Sequence, residues 1–397
     1  MEHGNDFYPR HAMKMNRYIL LGLLLLMGVA SSFSQDAQQV GRYTSIVPGA
    51  VWLDTDGHPI QAHGFSVFYK DGTYYWYGEN KEYTTQGSNV WTYGVRCYKS
   101  RDFYNWQDCG LIIKPDTVNV LSPLHYSQSN DRPHIIYCGK TKQYVAWIKN
   151  LGEHGFFTIL TADKFEGPYR IVRTGYKPDG YEVGDFDLYV DEKTDKAYVW
   201  FERPHWEMIC AQLTSDYTGV TKRYSEHFVG RIPPFARESP AHFVRGKHHY
   251  LFTSGTSGYE PNPSLITTFD AYHGKYTDLG NPCPDDKTNT TYCSQITDVI
   301  KIPGKQDLYV ALADRWKPAS CGTDTPYKEW QVITKRFIGH RPAPRSYSIE
   351  KVKDLSGVKR DGWDVTCNAT YVWLPITWKN GVPVIYWKDE WRLEDYK

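Results

Sequence analysis

The sequence predicts an all-β protein, a five-bladed β-propeller, on the basis of three observations. Short runs of strand composition recur throughout the chain, helical periodicity is hard to find, and 32 glycines and 23 prolines interrupt the chain. Sheet-sized repeats with few helices are typical of radial repetition, which protects strand edges. A jelly roll or sandwich is the competing all-β architecture, but it needs fewer and less regular hairpins.

Each repeat contains two apolar runs that together predict a hairpin. The first runs cover residues 65–69, 134–137, 186–190, 240–244 and 296–300. The second runs each carry a marker tyrosine, at Tyr75, Tyr144, Tyr198, Tyr250 and Tyr309. Successive markers are roughly 50 to 70 residues apart, which is enough for one four-stranded sheet. Five repeats therefore predict five blades.

The start of the 397-residue chain has the composition of an export signal. Arg17 precedes an apolar run at 19–30, and small residues follow as far as Ser34. The run is about a dozen residues long, shorter than the roughly 20 that a membrane-spanning helix needs. We predict a signal peptide at 1–34, a propeller domain at 35–397, and a secreted or periplasmic protein with no membrane insertion after signal removal.

The charge balance argues against nucleic acid as a partner. Lysine and arginine total 46 against 45 acidic residues, so the formal net charge is +1 and no strong field attracts a polyanion. The eight cysteines form no close metal-binding pattern, so we expect neither a metal site nor a cofactor. Export permits disulfides, and Cys283 and Cys293 are candidates to bridge a loop, although the sequence does not determine the pairing.

Aromatic residues make up 16% of the chain, including 32 tyrosines and 14 tryptophans. Exposed rings stack on the CH-bearing faces of sugars, although most rings in a β-rich protein fill its core. The tryptophans considered as sugar platforms are Trp147, Trp200, Trp206, Trp316 and Trp373. We expect most of them to be core residues, and we expect an oligo- or polysaccharide as the partner.

A polar residue precedes the marker tyrosine in every repeat, roughly a dozen residues earlier, where the innermost strand of a propeller blade begins. In chain order these residues are His63, Asp131, Asp185, Glu238 and Gln295. Because innermost strands begin near the central channel, the five side chains should share one space. A glycosidase needs a carboxylic acid to protonate the leaving oxygen and a second group to activate water or attack carbon.

Glu238 is the best candidate for that acid. Its neighbours Phe235, Pro240 and Ala241 are apolar, and a desolvated carboxyl near another carboxylate keeps its proton to higher pH. Asp185 is the candidate for the neighbouring carboxylate.

Short motifs along the chain carry a resemblance to a known family. They occupy residues 54–60, 62–64, 74–80, 131–133, 237–241, 253–258, 294–295, 314–316 and 371–375. In this order they resemble glycoside hydrolase family 43, in particular its exo-β-1,3-galactanase branch, over about residues 51–391. The resemblance implies an exo-acting, inverting hydrolase that releases galactose from the non-reducing end of β-1,3-galactan.

The resemblance also implies roles for individual residues. Glu238 matches the general acid, and Asp185 matches the residue that orients the acid and sets its pKa. The usual family has an aspartate base in the first blade, where this chain has His63, and the galactanase branch presents a glutamine that Gln295 matches. Because an amide is a very poor base, Gln295 would either hold the attacking water or relay a proton through its imidic acid tautomer.

Four residues are expected to bind substrate. Glu79 and Thr256 match positions that contact the terminal sugar in the branch, and Asp131 and His63 are added from the strand entries.

Two departures from the branch motifs affect the pocket. The branch usually has Glu-Arg-Pro where this chain has Asp-Arg-Pro at 131–133, and further glycines where residues 65–66 are Phe-Ser.

Three functions remain open at this point. The first is the exo-acting β-galactosidase, and the second is a family 43 α-L-arabinofuranosidase or β-xylosidase, which the shorter Asp131 keeps open. The third is a non-catalytic sugar-binding propeller, which the missing first-blade carboxylate supports. Retention of both Glu238 and Asp185 argues against this third function, since a lectin needs neither.

Overall fold

The computed structural model describes residues 42–150, 155–323, 328, 330–332 and 365–397. The predicted signal peptide at 1–34 lies outside the described residues and stays a prediction. A search of the described residues for a helix long and apolar enough to cross a membrane finds none.

Twenty strands in the described residues form five antiparallel sheets, each built from four consecutive strands. Blade 1 contains β1 (His63–Lys70), β2 (Thr73–Glu79), β3 (Val95–Ser100) and β4 (Gln107–Ile113). Blade 2 contains β5 (Asn130–Cys138), β6 (Gln143–Asn150), β7 (Phe156–Ala162) and β8 (Arg170–Tyr176). Blade 3 contains β9 (Phe186–Asp191), β10 (Lys196–Glu202), β11 (Met208–Leu213) and β12 (Val220–His227). Blade 4 contains β13 (Arg237–Arg245), β14 (His248–Gly255), β15 (Leu265–Phe269) and β16 (Thr277–Gly280). Blade 5 contains β17 (Gln295–Lys301), β18 (Tyr309–Arg315), β19 (Thr370–Lys379) and β20 (Val382–Ile385).

The predicted five-bladed propeller is confirmed. The first strand of each blade contacts the first strand of the next, from β1 through β5, β9, β13 and β17 and back to β1. Each marker tyrosine lies in the second strand of its blade, where β-branched and aromatic residues favour a pleated, half-buried surface. The five inner strands therefore surround one axis.

The ring is closed by contacts between the two ends of the described chain. Ile46 forms an isolated antiparallel bridge with Trp391, with N···O distances of 2.9 and 3.0 Å. The Tyr371 hydroxyl on β19 donates to the Ile60 carbonyl and accepts from the Ala62 N–H, both at 3.0 Å. Blades 5 and 1 are thus joined without exchanging a strand.

Apolar clusters fill the spaces between neighbouring blades. Trp373 packs with Trp76 and Trp106 in the cluster that joins blades 5 and 1. Trp147, Trp200 and Trp373 are 0% exposed, so these three platform candidates are core residues. Burial of such large rings contributes much of the stabilisation that holds blades together.

One disulfide joins the start of blade 5 to the segment after β18. It links Cys293 to Cys321. The loop bridge considered between Cys283 and Cys293 is therefore wrong. Cys283 is 1% exposed and packs among apolar residues between blades 4 and 5, whereas Cys293 lies against Cys321.

Candidate active site

The structure places the five strand-entry residues at one end of the ring of inner strands. Each lies at or directly beside the start of the first strand of its blade. His63 is 0% exposed, and Asp131, Asp185 and Glu238 are 6%, 7% and 8% exposed, while Gln295 is half-buried. We call these five residues and their polar partners the axial cluster.

Irregular backbone geometry directs residues into the axial cluster. Register shifts follow the entry residue in β1, β5, β13 and β17, and such bulges re-aim side chains beside active sites. Arg132 and Ser239, which follow Asp131 and Glu238, have left-handed φ values of 48° and 52°. A non-glycine residue in this region costs on the order of 1 kcal/mol. In return, the Arg132 guanidinium reaches the Ser239 hydroxyl of another blade at 2.6 Å.

Arg132 connects the blades at the centre of the axial cluster. Its Nε lies 2.9 Å from Asp185 Oδ2, and its Nη2 donates to Gln295 Oε1 at 2.9 Å. Its backbone N–H donates to Glu79 Oε1 at 2.8 Å. Burial alone would lower the pKa of Arg132, but Asp185 and Glu79 raise it above its ordinary value. The guanidinium therefore stays charged and links four blades through side chains.

Lys149, on β6, lies between two of the predicted carboxylates. Its Nζ is 2.6 Å from Asp185 Oδ1 and 3.4 Å from Asp131 Oδ2. Burial would raise the pKa of Asp185, but Arg132 and Lys149 together lower it to about 2. Arg132 and Lys149 therefore favour the ionised form of Asp185.

Glu238 has the opposite protonation preference. Burial raises its pKa well above the ordinary value, and the charges of Asp185 and Glu202 raise it further, against opposition from Lys149 and Arg132. A buried carboxyl beside a fixed negative charge keeps its proton, because ionisation would place two like charges close together. The arrangement therefore favours the protonated form of Glu238, which is the form that a general acid needs.

Gln295 makes four hydrogen bonds that fix its orientation. Its Oε1 accepts from Arg132 Nη2 at 2.9 Å and from Trp316 Nε1 at 3.2 Å, and both of these groups are donors only. Its Nε2 donates to Ser254 Oγ at 2.9 Å and to Glu238 Oε1 at 3.4 Å. Because two donors already occupy the oxygen, this arrangement disfavours the imidic acid tautomer, which would place a proton there.

The ring of His63, a fully buried member of the axial cluster, is held through both of its nitrogens. Nδ1 lies 2.9 Å from Asp314 Oδ1, and Nε2 lies 3.2 Å from the Tyr371 hydroxyl. The ring stacks on Tyr371 and lies 5.6 Å from the Trp316 ring, centroid to centroid. Contact with a sugar would require His63 to give up one of these partners. The geometry therefore favours a role in which the His63 ring packs against the Trp316 ring and supports it.

The predicted sugar-binding residues Glu79 and Asp131 share one buried network. Lys81 Nζ lies 2.7 Å from Glu79 Oε2 and 3.7 Å from Asp131 Oδ1, and Trp91 Nε1 donates to Asp131 Oδ1 at 2.5 Å. Burial raises the pKa of Glu79 to about 7, although Lys81 opposes the shift. Thr256, 5% exposed, has a hydroxyl with no hydrogen-bond partner among the described residues.

Three aromatic rings form a wall that extends from Asp131 to Gln295. Tyr259 lies 5.0 Å from Trp316 and 6.4 Å from Trp91, between ring centroids. Trp316 and Trp91 donate their indole N–H groups to Gln295 and Asp131, respectively. Of the five platform candidates, Trp316 is thus the one whose indole contacts a strand-entry residue among the described contacts.

The axial cluster contains more buried carboxyls than cations. Apart from Asp314, which pairs with His63, five buried carboxyls face three cations: Glu79, Asp131, Asp185, Glu202 and Glu238 face Lys81, Arg132 and Lys149. Three cations leave two negative charges uncompensated if every carboxyl ionises, and buried unpaired charges are costly. Raised pKa values at Glu79, Glu202 and Glu238 relieve this excess by protonation.

One group of side chains in the described part of the chain is close enough to contact a single cation. The carboxylate and imidazole atoms of Glu202, His205 and Glu238 lie within 4.8 Å of one another. A cation bound there would compete with the proton of Glu238 for the same carboxylate.

The sequence reasoning missed Arg132, Lys149 and Glu202 as site residues. A signal for the last two exists, because the second strands also end in polar residues, four or five positions after each marker tyrosine. These residues are Glu79, Lys149, Glu202, Ser254 and Asp314. Antiparallel pairing places each of them beside the entry residue of its blade.

The fold and site define a propeller whose axial carboxyls have divergent pKa values, as acid–base chemistry on sugars requires. The family model of glycosyl hydrolases family 43 matches residues 59–323. The chain therefore belongs to this family. No curated protein sequence matches the chain significantly.

Solved structures agree with this assignment. A GH43 β-1,3-galactosidase is 30% identical with a TM-score of 0.69, over 89% of this chain and 64% of that chain. This chain thus spans less than two thirds of that protein. A second GH43 β-1,3-galactosidase, with galactodeoxynojirimycin, is 24% identical with a TM-score of 0.67, over 88% of this chain and 100% of that one. An exo-β-1,3-galactanase from Phanerochaete chrysosporium, with β-1,3-galactotriose, is 22% identical with a TM-score of 0.69, over 88% of this chain and 68% of that one. The last two similarities support the fold alone.

Proposed function

We propose that the protein is an exo-acting, inverting glycoside hydrolase that releases galactose from β-1,3-galactan, the substrate class of arabinogalactan. The observation that carries the proposal is a pair of buried carboxyls: Asp185 is paired with Arg132 and Lys149, whereas burial and the charge of Asp185 raise the pKa of Glu238. The 30% identical β-1,3-galactosidase supports the sugar and the linkage.

Glu238 acts as the general acid in this proposal. Cleavage of a glycosidic bond to a sugar leaving group needs a proton on the departing oxygen, because an alkoxide leaves poorly. Burial and the Asp185 charge keep that proton on Glu238 until the glycosidic oxygen gains negative charge, as its bond to the anomeric carbon breaks. Asp185 does not transfer the proton, and its charge is held in place by Arg132 and Lys149.

Gln295 positions the attacking water. Its contact with Glu238 Oε1, at 3.4 Å, is the longest of its four hydrogen bonds, so Nε2 is the end of the amide that can most readily leave Glu238 and turn to a water at the face of the sugar away from the acid. An amide held by Arg132 and Trp316 is too weak a base to ionise water in the ground state. The water therefore loses its proton only as the bond to the anomeric carbon forms, and that proton passes to solvent.

The terminal galactose is proposed to bind Glu79, Asp131 and Thr256, against the wall of Trp91, Tyr259 and Trp316. The unpartnered Thr256 hydroxyl is available to a sugar hydroxyl. The carboxyl groups of Glu79 and Asp131, which lie beside Lys81 and Lys149, can accept hydrogen bonds from the hydroxyls of a pyranose. The aromatic wall suits the CH face of the same ring. In this assignment His63 affects substrate binding indirectly, because its ring packs against the Trp316 ring of the wall.

Identifying the sugars released from several substrates tests the activity. Purified protein is incubated with β-1,3-galactobiose, β-1,3-galactan and nitrophenyl α-L-arabinofuranoside and β-xyloside, and released monosaccharide is identified by chromatography. Galactose from the first two supports the proposal, and its anomeric configuration at early times, read by NMR, reports inversion. Release of arabinose or xylose alone would replace it with the alternative family 43 specificities, and binding without release would indicate a sugar-binding propeller.

Glu238→Gln tests the acid. We expect hydrolysis of β-1,3-galactobiose to fall by about 10²-fold or more while galactobiose binding, measured by calorimetry, is retained. Glu226→Gln on β12, outside the axial cluster, is the matched control. Retained activity in Glu238→Gln would exclude Glu238 as the acid.

Export is part of the same proposal. The apolar run at 19–30 supports a cleaved signal, and the Cys293–Cys321 disulfide supports an oxidising compartment. Sequencing the N-terminus of protein recovered from medium or periplasm tests it, and an intact residue 1 would contradict it.

A further inference from the structure

Glu202 forms a second carboxyl neighbour of the acid and is unused by the mechanism above. It is the last residue of β10, 4% exposed, and its charge is among the causes that raise the pKa of Glu238. Burial and the charge of Asp185 raise the pKa of Glu202 itself to about 7, against opposition from Lys149. Near neutral pH, Glu202 therefore exists as a mixture of carboxylic acid and carboxylate.

The backbone holds Glu202 firmly in this place. Its N–H donates to the Asp185 carbonyl at 2.9 Å, and its Oε1 accepts from the Asp185 N–H at 3.3 Å. The absence of a side chain at Gly184 makes room for the carboxyl, because a Cβ there would lie 2.0 Å from Glu202 Oε1. The position of the carboxyl is thus built into the β9–β10 hairpin.

His205 lies beside Glu202 and is more exposed than either carboxyl. It occupies the turn between β10 and β11 with a left-handed φ of 62°, and its backbone N–H donates to Glu202 Oε2 at 3.3 Å. Side-chain atoms of His205, Glu202 and Glu238 lie within 4.8 Å of one another. Separations of this size allow proton transfer through one bridging water.

An inverting hydrolase needs a return route for its acid proton. Each turnover moves the Glu238 proton to the leaving oxygen, while the attacking water releases a proton at the other face of the sugar. Glu238 is left as a buried carboxylate beside Asp185, and it must regain a proton before the next cycle.

We propose that Glu202 and His205 form the route by which Glu238 regains its proton from solvent after each turnover. The Glu202 carboxylic acid gives its proton to the Glu238 carboxylate, the His205 imidazolium reprotonates Glu202, and water or a buffer acid reprotonates His205. One proton enters from solvent for each proton that the attacking water releases, so the cycle balances. The inference rests on the proposed function.

The test compares two substrates in the full chain. His205→Asn suits the turn, because asparagine tolerates a left-handed φ, and Glu202→Gln preserves the size of the side chain. With β-1,3-galactobiose we expect kcat to fall about tenfold or more in both variants. With 2,4-dinitrophenyl β-galactoside, whose leaving group needs no proton, Glu238 stays protonated and we expect kcat within about twofold of the wild type. His248→Asn, at the far end of the β13–β14 hairpin, is the matched control.

Buffer dependence separates proton transfer from a structural role. In His205→Asn, added imidazole should restore kcat for galactobiose in a concentration-dependent way, and the solvent deuterium isotope effect should rise. An unchanged kcat, an equal loss on both substrates with no imidazole response, or a raised KM alone would overturn the inference. A raised KM with an unchanged kcat would instead assign Glu202 to binding the leaving sugar. A wild-type protein that releases no sugar would instead overturn the proposed function.

Discussion

Lys149→Met should destabilise the protein in a pH-dependent way. At pH 7 the substitution leaves Asp185 with Arg132 as its remaining cation, and Asp131 with Lys81 at 3.7 Å and the Trp91 N–H. Removing one partner of a buried ion pair costs about 3–5 kcal/mol. Because both carboxylates keep another partner, we expect the low end of that range, about 3 kcal/mol.

The direction in which pH changes this loss of stability follows from the pKa of Asp185. In the wild type its pKa is lowered from 3.8 to about 2, so its contribution to stability is present above pH 4 and is lost as the pH falls through 2. Without Lys149 the folded-state pKa of Asp185 rises, and a bound proton replaces the lost cation. The difference in stability between variant and wild type should therefore be smaller at pH 4 than at pH 7.

Urea denaturation at pH 7 and pH 4, followed by tryptophan fluorescence, measures both effects. Lys140→Met is the matched control, because Lys140 is exposed and its Nζ donates to Ser215 Oγ at the surface, and it should change the free energy of unfolding by less than about 0.5 kcal/mol. A loss below about 1 kcal/mol at pH 7, or the same loss at both pH values, would refute the role of Lys149 as a shared buried counter-ion.

Three further perturbations test other parts of the site. Asp185→Asn should move the alkaline limb of the pH–kcat profile on galactobiose to lower pH by about one unit or more, because the charge that raises the pKa of Glu238 is lost; an unmoved limb would contradict this. Gly184→Ala should cost about 1–3 kcal/mol in urea denaturation, because its Cβ would displace Glu202, whereas Gly139→Ala, whose Cβ would lie 3.6 Å from Asp195, should be nearly neutral. Cys321→Ser should lose about 3 kcal/mol, as expected for a disulfide spanning a loop of this size, and peptide mapping of unreduced wild-type protein should recover the Cys293–Cys321 pair.

The sequence was sufficient to predict the propeller and its strand entries, because both depend on a period that repeats five times. Marker tyrosines lie in the second strands, and entry residues such as Glu238 and Gln295 lie at the starts of first strands. A repeat places equivalent positions at equivalent radii, so one polar residue per repeat was enough to locate the axis.

The partners of those residues depend on cross-strand register, which the period alone does not determine. Lys149 reaches Asp185 in the neighbouring blade, and Arg132 reaches Ser239 and Gln295 only because its backbone is left-handed. No local pattern predicts a left-handed arginine. For the same reason, the sequence leaves both functions of Gln295 open, because the donors to its oxygen, Arg132 and Trp316, are distant from it in the chain.

The pairing of Ile46 with Trp391 has a consequence for how the site comes into being. Contacts between residues so distant in the chain cost much loop entropy and are expected to form late in folding. The His63–Asp314 contact, which supports Trp316 and through it Gln295, joins the same two blades. Individual blades can therefore form while the axial cluster is still incomplete, and competence for chemistry should arise as the final, cooperative event of folding.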